Sequence, residues 1–341
     1  MMNRCGMFRD KRLQAAVIAL VSFGGLFSAG CNEYLLSKPA YSPGASAAHL
    51  KSEAMGVIAS ALDDRSPEVR TNAIEAVAAT GRMELMAKVS QLLRDDYVPV
   101  RFAALCAVGD MKYRGASRTV RQLFDGDPDE NCRLAAAYAL TKLRMADGMK
   151  TLVNATTSED MTVRANAVVL LGKSGDKRVL DVLYAAKDAG DSDMRVRMQA
   201  AEAIARLADE RIYPKLWALL ISKFAEDRII GIRAMGALGT EDGKNAIITM
   251  LDDERIEVRL AAAHQLGVLG ESTGEPEVLD VFRKNLTSRM SRQESERVRV
   301  LTAFAIGEIR GEALGGYLSG LLKGKSQAVR LAAAQAVLKY K

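Results

Sequence analysis

Nine copies of one short pattern, almost evenly spaced, constrain this chain more than any other feature. The clearest copy is VRANAVVLLGKSG, Val163 to Gly175. Aligning on its Arg164 brings Arg70, Arg101, Arg133, Arg197, Arg228, Arg259, Arg299 and Arg330 into one register, at intervals of 31, 32, 31, 33, 31, 31, 40 and 31 residues. A period of that length marks a stacked array, in which each unit buries its apolar face only against its neighbours. A chain of 341 residues would otherwise be expected to divide into two domains, because single cores stop growing near about 250–300 residues. The repeats remove that need. With 49% hydrophobic but only 5% aromatic residues, the interior is one of Ala, Leu and Val, which suits closely packed helices and suits an antiparallel sheet poorly.

Numbering each copy from its arginine as zero and stepping 100° per residue places one side of a helix in a core. Position seven is apolar in every copy, from Val77 and Val108 to Ile306 and Val337, and position three is small in every copy, Gly231 and Thr302 being the exceptions to Ala. Small residues there let neighbouring helices approach closely. Position eleven is Gly81, Gly175, Gly239 or Gly270 in four copies, where glycine ends a helix in a left-handed cap. Upstream of each arginine lies a second amphipathic stretch, such as Met55–Leu62 or Leu216–Phe224. The turn between holds capping residues, such as Asp64-Arg65-Ser66-Pro67, with Ser66 expected to cap and Pro67 to fill the first turn. The unit is helix, turn, helix, and the expected fold is an all-α, right-handed α-solenoid of about nine such repeats.

The arginines at position zero (Arg70, Arg101, Arg133, Arg164, Arg197, Arg228, Arg259, Arg299 and Arg330) project between positions four and seven, on the buried side. They are therefore expected to be structural, laying their stems between repeats and bonding turn carbonyls or a neighbour's acid. Acids precede most of them within six positions, among them Asp64, Asp96, Asp129, Asp160, Asp193 and Asp253. Positions two, five and nine form the opposite stripe. Position five varies freely: Glu75, Cys106, Tyr138, Val169, Glu202, Arg233, His264, Phe304 and Gln335. If the second helix faces inward, this is the concave surface. Variation there beside constancy at three and seven makes Glu75, Tyr138, Val169, Glu202, Arg233, His264, Phe304 and Gln335 the candidate partner-binding residues.

The first 30 residues are of another kind. Arg4, Arg9, Lys11 and Arg12 against Asp10 place +3 of the formal +6 there, leaving +3 (6 minus 3) for the rest, too little to point to a nucleic-acid partner. Ala15 to Phe27 is an apolar or small-residue run, too short to span a bilayer, and Ser28-Ala29-Gly30 leads into Cys31. Leu26-Phe27-Ser28-Ala29-Gly30-Cys31 resembles a bacterial lipoprotein signal, although Ser28 stands where that family favours Leu. The resemblance implies removal of residues 1–30, lipidation of Cys31 and export to a periplasm-facing position on the cell membrane or outer membrane. Asn32 in the second mature position is similar to lipoproteins sorted to the outer membrane. Residues 31–48, with Pro39, Pro43 and Gly44, read as a flexible tether, and 49–341 as the solenoid.

From an Asp-rich turn followed by Val-Arg and Ala-x-x-Ala-Leu-Gly, the repeats resemble the HEAT-like repeats named after phycobilisome lyases, over roughly residues 50–341. That resemblance implies two functions. One is a non-catalytic scaffold or adaptor, here lipid-anchored in the envelope and holding a protein partner. The other is a lyase- or oxidoreductase-like protein acting on a protein-bound group. The residues favour the first. No cofactor, metal set or catalytic residue is expected: His49 and His264 are followed by Leu50 and Gln265, so the His-Glu pairs with which the HEAT-type deoxyhypusine hydroxylase holds iron do not occur. Cys106 and Cys132 occupy different helix positions and read as buried thiols.

Two irregularities stand out. Glu275 to Arg297 carries the extra length of the 40-residue interval, expected as a lengthened first helix or a protruding charged loop. Repeat six concentrates Tyr213, Trp217 and Phe224, which read as filling a larger core in preference to forming an exposed anchor. The last repeat ends in core register with no polar cap after it, so it either suffices alone or docks on something, such as a second copy.

Overall fold

The computed structural model describes residues 45–340 apart from 146, 147, 191 and 192. The expected signal peptide, Cys31 and most of the tether lie outside these residues. Among the described residues there are eighteen α-helices and no strand, an all-α solenoid of nine helix-turn-helix repeats. Repeats one to three are α1 (Ala45–Ala61) and α2 (Pro67–Thr80), α3 (Met86–Gln91) and α4 (Val98–Asp110), α5 (Ser117–Gly126) and α6 (Glu130–Lys142). Repeats four to six are α7 (Gly148–Ala155) and α8 (Met161–Ser174), α9 (Leu180–Asp188) and α10 (Met194–Arg206), α11 (Tyr213–Leu220) and α12 (Ala225–Leu238). Repeats seven to nine are α13 (Glu241–Thr249) and α14 (Ile256–Val268), α15 (Glu275–Arg283) and α16 (Arg292–Ile309), α17 (Glu312–Leu322) and α18 (Gln327–Lys339). The first helix begins at Ala45, inside the stretch read as tether up to residue 48.

The core follows the register. All nine residues at position three are buried, and all nine at position seven are at most 2% exposed. Each second helix packs on the second helix of the next repeat, with the first helices outside them. Position eight makes that spacing work. A side chain in place of Gly172 would stand 2.7 Å from the Ala203 Cα, and one in place of Gly307 would stand 2.7 Å from the Ala336 Cα. The second helices touch there backbone to backbone.

Helix ends are regular too. Position eleven has positive φ in each of repeats one to eight: Gly81, Lys112, Arg144, Gly175, Ala208, Gly239, Gly270 and Arg310. Only half of these are the glycine that the left-handed turn prefers. At the other end, Ser66 occupies the N-cap of α2 without bonding from its side chain; Asp64 instead accepts from the Ser66 amide at 2.8 Å.

The arginines form a ladder along the turns. Arg70 Nη1 donates to the carbonyls of Asp64 and Arg65, and its Nε and Nη2 grip Asp95 of the next repeat at 2.8 Å each. Arg101 repeats this with the carbonyls of Asp95 and Asp96 and with Asp127 at 2.9 and 3.0 Å. Asp95 thus takes one arginine on its side chain and the next on its carbonyl. Arg228 pairs in the same way with Asp253. Where this turn position is not acidic, as at Ser158 and Gly324, Arg133 and Arg299 make no ion pair among those described, and Arg133 keeps only its own turn carbonyls. The acids that pair with these arginines are therefore Asp95, Asp127, Glu277 and, as expected, Asp253, not Asp96 and Asp129; Asp129, Asp160 and Asp193 cap helices instead.

The insertion lengthens the second helix of its repeat. Asn285 ends α15 with φ +48°, and a capping box between Ser291 and Glu294 starts α16 one turn early, for 18 residues. The expectation of a longer first helix fails because Ser291 and Glu294 satisfy the amides of a new N-terminus further down the chain.

The solenoid closes. α18 packs against α1 and α2 as extensively as neighbouring repeats pack on each other. Arg82 Nη2 donates to the Leu338 carbonyl at 3.0 Å, and Gln327 Nε2 to Asp64 at 2.8 Å. The apolar face of the last repeat is thus covered by the first repeat of the same chain.

Candidate functional site

Closure turns the expected concave face into the wall of a narrow lumen. Position five does face inward, but much of it has little surface left. Tyr138 is 0%, Glu202 5%, and Val169 and Cys106 7% exposed. Glu75, Arg233, His264, Phe304 and Gln335 are half-buried. An open groove lined by these residues is therefore corrected to a lined channel, because the ring brings repeat four against repeat one. Val169, Leu170 and Lys173 there share a cavity of about 60 Å³ with Ile74, Glu75 and Ala78.

The charges inside are mostly paired, and position nine supplies the partners. Lys173 Nζ donates to Asp110 at 2.9 Å, skipping a repeat, and the Tyr138 hydroxyl donates to the other oxygen of Asp110. Glu202 is held at one oxygen by Arg206 at 2.7 Å and at the other by Arg233 at 2.8 Å. His264 lies 3.9 Å from Glu308, which also takes Lys339, and edge-on to Phe304. Sequence reasoning placed position nine on the exposed stripe and missed this role. Its signal was the charge recurring there at Asp110, Lys173, Arg206, Glu308 and Lys339.

Enclosure tunes these groups. Burial pushes the Glu75 carboxyl up to about 8, only partly opposed by Lys173, because a charge is poorly solvated there. Burial likewise pushes the Cys106 thiol up to about 12, far from the thiolate a nucleophile needs, and raises Cys132. Both cysteines are free. Burial pulls His264 down to about 4, with Lys339 and Arg233 acting in the same direction and Glu308 against it. Among the described residues no three His, Cys, Asp or Glu side chains stand close enough to hold a metal, and no helix is long and apolar enough to cross a membrane.

A second feature lies on the rim at repeats four to six. Met161, Met194, Trp217, Ile221 and Phe224 are 50, 57, 42, 66 and 56% exposed. Trp217 and Phe224 do not fill a larger core. Trp217 stands on the outward face of α11, whose buried face is Leu216, Leu219 and Leu220, and Phe224 stands in the turn at the N-cap of α12. Beside them, a cleft of about 250 Å³ opens between α10 and α12, lined by Met194, Met198, Gln199, Glu202, Ile230 and Arg233, with Arg195 and Asp227 at its edges.

The family model for HEAT repeats matches residues 54–141, 117–191 and 149–230, together 54–230, or 177 of 341 residues. The chain belongs to the HEAT repeat family. Among curated proteins the comparison finds no match. Among solved structures the HEAT ring is similar to human deoxyhypusine hydroxylase in complex with glycerol, at 21% identity over 76% of this chain and 96% of that one, with a TM-score of 0.37. It is similar to the complex of CpcE and CpcF of phycocyanin lyase from a Nostoc species, at 18% identity over 74% and 94%, with a TM-score of 0.39. Importin beta matches at 17% identity over 84% of this chain and 47% of that one, with a TM-score of 0.33.

Proposed function

We propose that this HEAT-repeat ring is a non-catalytic scaffold that holds a protein partner in the bacterial envelope, exported by its N-terminal signal and lipid-anchored through Cys31. The observation that carries the interaction reading is the rim of repeats four to six, where five large apolar side chains are about half exposed. Isolated apolar residues on a surface need no explanation, but a run of them on adjacent turns marks a contact site. Anchoring rests on the resemblance of Leu26–Cys31 to a lipoprotein signal, and two or more acyl chains hold a protein on a bilayer stably. Cys31→Ala is expected to shift the protein from the membrane to the soluble envelope fraction; an unchanged membrane fraction overturns the anchor. Ile221→Glu with Phe224→Glu is expected to leave melting unchanged within about 0.5 kcal/mol, since both are surface positions, and to abolish co-purification of a defined partner. Retention of that partner overturns the rim assignment.

One observation favours the second reading, chemistry on a protein-bound group: the lumen holds a carboxyl, Glu75, raised toward neutrality beside Lys173, and a titratable group perturbed in this way marks acid-base sites. Its cavity of about 60 Å³ admits water but no prosthetic group, and the neighbouring thiol is held protonated. A chromophore or metal co-purifying in stoichiometric amount would move the assignment to this reading.

A further inference from the structure

The turns that join the two helices of each repeat stand in a row on one edge of the ring. Contacts along the row tie neighbours together, among them Arg70 to Asp95, Arg101 to Asp127, Arg228 to Asp253, and Gln327 of repeat nine to Asp64 of repeat one. Three kinds of surface divide that edge. At repeat six it is apolar: Ile221 and Phe224, in the turn, are 66 and 56% exposed. At repeats three and four it is acidic, with Glu130 and Glu159 exposed and in no ion pair among those described. At repeats eight and nine it is basic: Arg289, Arg292, Arg297 and Lys323 are exposed, again in no ion pair among those described. The second helix of repeat eight, α16, starts at Arg292, seven residues before Arg299, whereas every other second helix starts three residues before its arginine. At 1.5 Å per residue the arginine segment therefore stands about 6 Å above the row.

The order of these surfaces selects a partner. An anionic bilayer or a nucleic acid would suit repeats eight and nine and be repelled by repeats three and four. What fits is a surface with an apolar centre between an acidic and a basic arc. A second copy carries that surface by symmetry when turned about a two-fold axis that lies in the plane of the ring and passes through repeat six. The rotation sets repeat six against itself, five against seven, four against eight and three against nine. Ile221 and Phe224 then lie over their own counterparts, Glu159 over Arg292 and Glu130 over Lys323, each charge pair occurring twice as in any isologous interface. Arg195 of repeat five lies over Asp252 of repeat seven, and both are exposed. The chain enters α1 at Ala45 on the opposite edge and leaves it at Ala61 beside the first turn, so its entry keeps this face clear.

We propose that this edge binds a second copy of the chain face to face, with the apolar turns of repeat six on the two-fold axis and the acidic arc of each copy against the basic arc of the other. The proposal rests on the scaffold reading and names the partner held at the rim.

Light scattering on the purified full chain in detergent should give twice the mass of one chain, falling toward one chain as salt rises, because exposed charges are screened. Glu130→Lys/Glu159→Lys sets basic against basic, and Arg292→Glu/Lys323→Glu sets acidic against acidic, so each variant alone should dimerise about tenfold or more weakly. An equimolar mixture of the two makes every contact attractive again and should form a heterodimer within about threefold of the wild-type affinity. That recovery excludes misfolding as the cause of either loss. Ile221→Glu/Phe224→Glu should be monomeric. A wild type that is monomeric at about 100 µM, an unchanged affinity in either charge variant, or a mixture no tighter than its components overturns the proposal. If the wild type is monomeric while the rim variant loses a different defined protein, the scaffold reading stands and the second copy alone falls. If the wild type is monomeric and the rim variant keeps that protein, the scaffold reading itself is at fault.

Discussion

Glu75 sits in an environment far from what its position in the motif suggests. It occupies a variable, nominally exposed position, yet the closed ring surrounds it with Cys106, Asp110, Lys173 and the wall of repeat four. Its carboxyl, ordinarily near 4.5, is raised to about 8, so between those values the folded chain keeps a proton that the unfolded chain has lost. Stability must fall as pH rises through that window. His264 acts oppositely: lowered from 6.5 to about 4, it makes stability rise with pH between 4 and 6.5. The two effects oppose each other up to about pH 6.5 and only the Glu75 effect remains above it. Glu75→Gln should therefore unfold at higher denaturant than wild type at pH 8, by on the order of 1–3 kcal/mol, and lose the decline between pH 6.5 and 8. A decline of the same slope in the variant would place the titration elsewhere. Ala208 shows a different tension. It holds φ +54°, where glycine is at ease and an L side chain is strained by about 1 kcal/mol. Ala208→Gly should stabilise by up to about 1 kcal/mol in urea unfolding; any loss of stability would show that the methyl packs better than the backbone is strained.

At the scale of the helix pair, the repeat could be read from the chain almost completely. Positions three and seven, the glycine caps at Gly81, Gly175, Gly239 and Gly270, and the inward second helix all follow from period and residue type. Three things did not. The left-handed turns at Lys112, Arg144, Ala208 and Arg310 carry no glycine to announce them; only their shared position eleven does. The arginine partners Asp95 and Asp127 belong to the following repeat, a pairing that no window within one repeat reveals. Trp217 and Phe224 looked like core because aromatic residues usually are; Trp217 falls off the Leu216, Leu219 and Leu220 face of α11, and Phe224 falls in the turn that follows it. Position eight offers a test in which propensity and packing oppose each other. Alanine in place of a helical glycine ordinarily gains about 0.5–1 kcal/mol, and Gly56→Ala, with nothing within 4 Å, should show that gain. Gly172→Ala has the same propensity, but its methyl would stand 2.6 Å from that of Ala203 and 2.7 Å from the Ala203 Cα. The backbone of α10 cannot yield cheaply, so this change should cost about 1–3 kcal/mol. Equal shifts in the two variants' denaturation midpoints would mean that the second helices are not in backbone contact.

Ring closure is the property of the whole molecule that no single repeat encodes. Curvature accumulates from small rotations between neighbours, and whether nine of them add to a full turn depends on packing at every interface, not on any residue pattern. Its consequences reach back down the scales: it covers the apolar face of α18, narrows the lumen and drives the Glu75 shift. It also makes a geometric prediction. Helices pack about 8–10 Å apart, so eight steps of an open stack would leave the first and last repeats roughly 70 Å apart. In the ring, Gln327 and Asp64 share a hydrogen bond of 2.8 Å. With Cys106 and Cys132 buried, a short bismaleimide should join Asp64→Cys to Gln327→Cys within one chain, at dilutions where chains do not meet. Denaturation before the reagent should abolish the product. Products formed only between chains, and vanishing on dilution, would mean that the last repeat seats on a second copy rather than on its own first repeat.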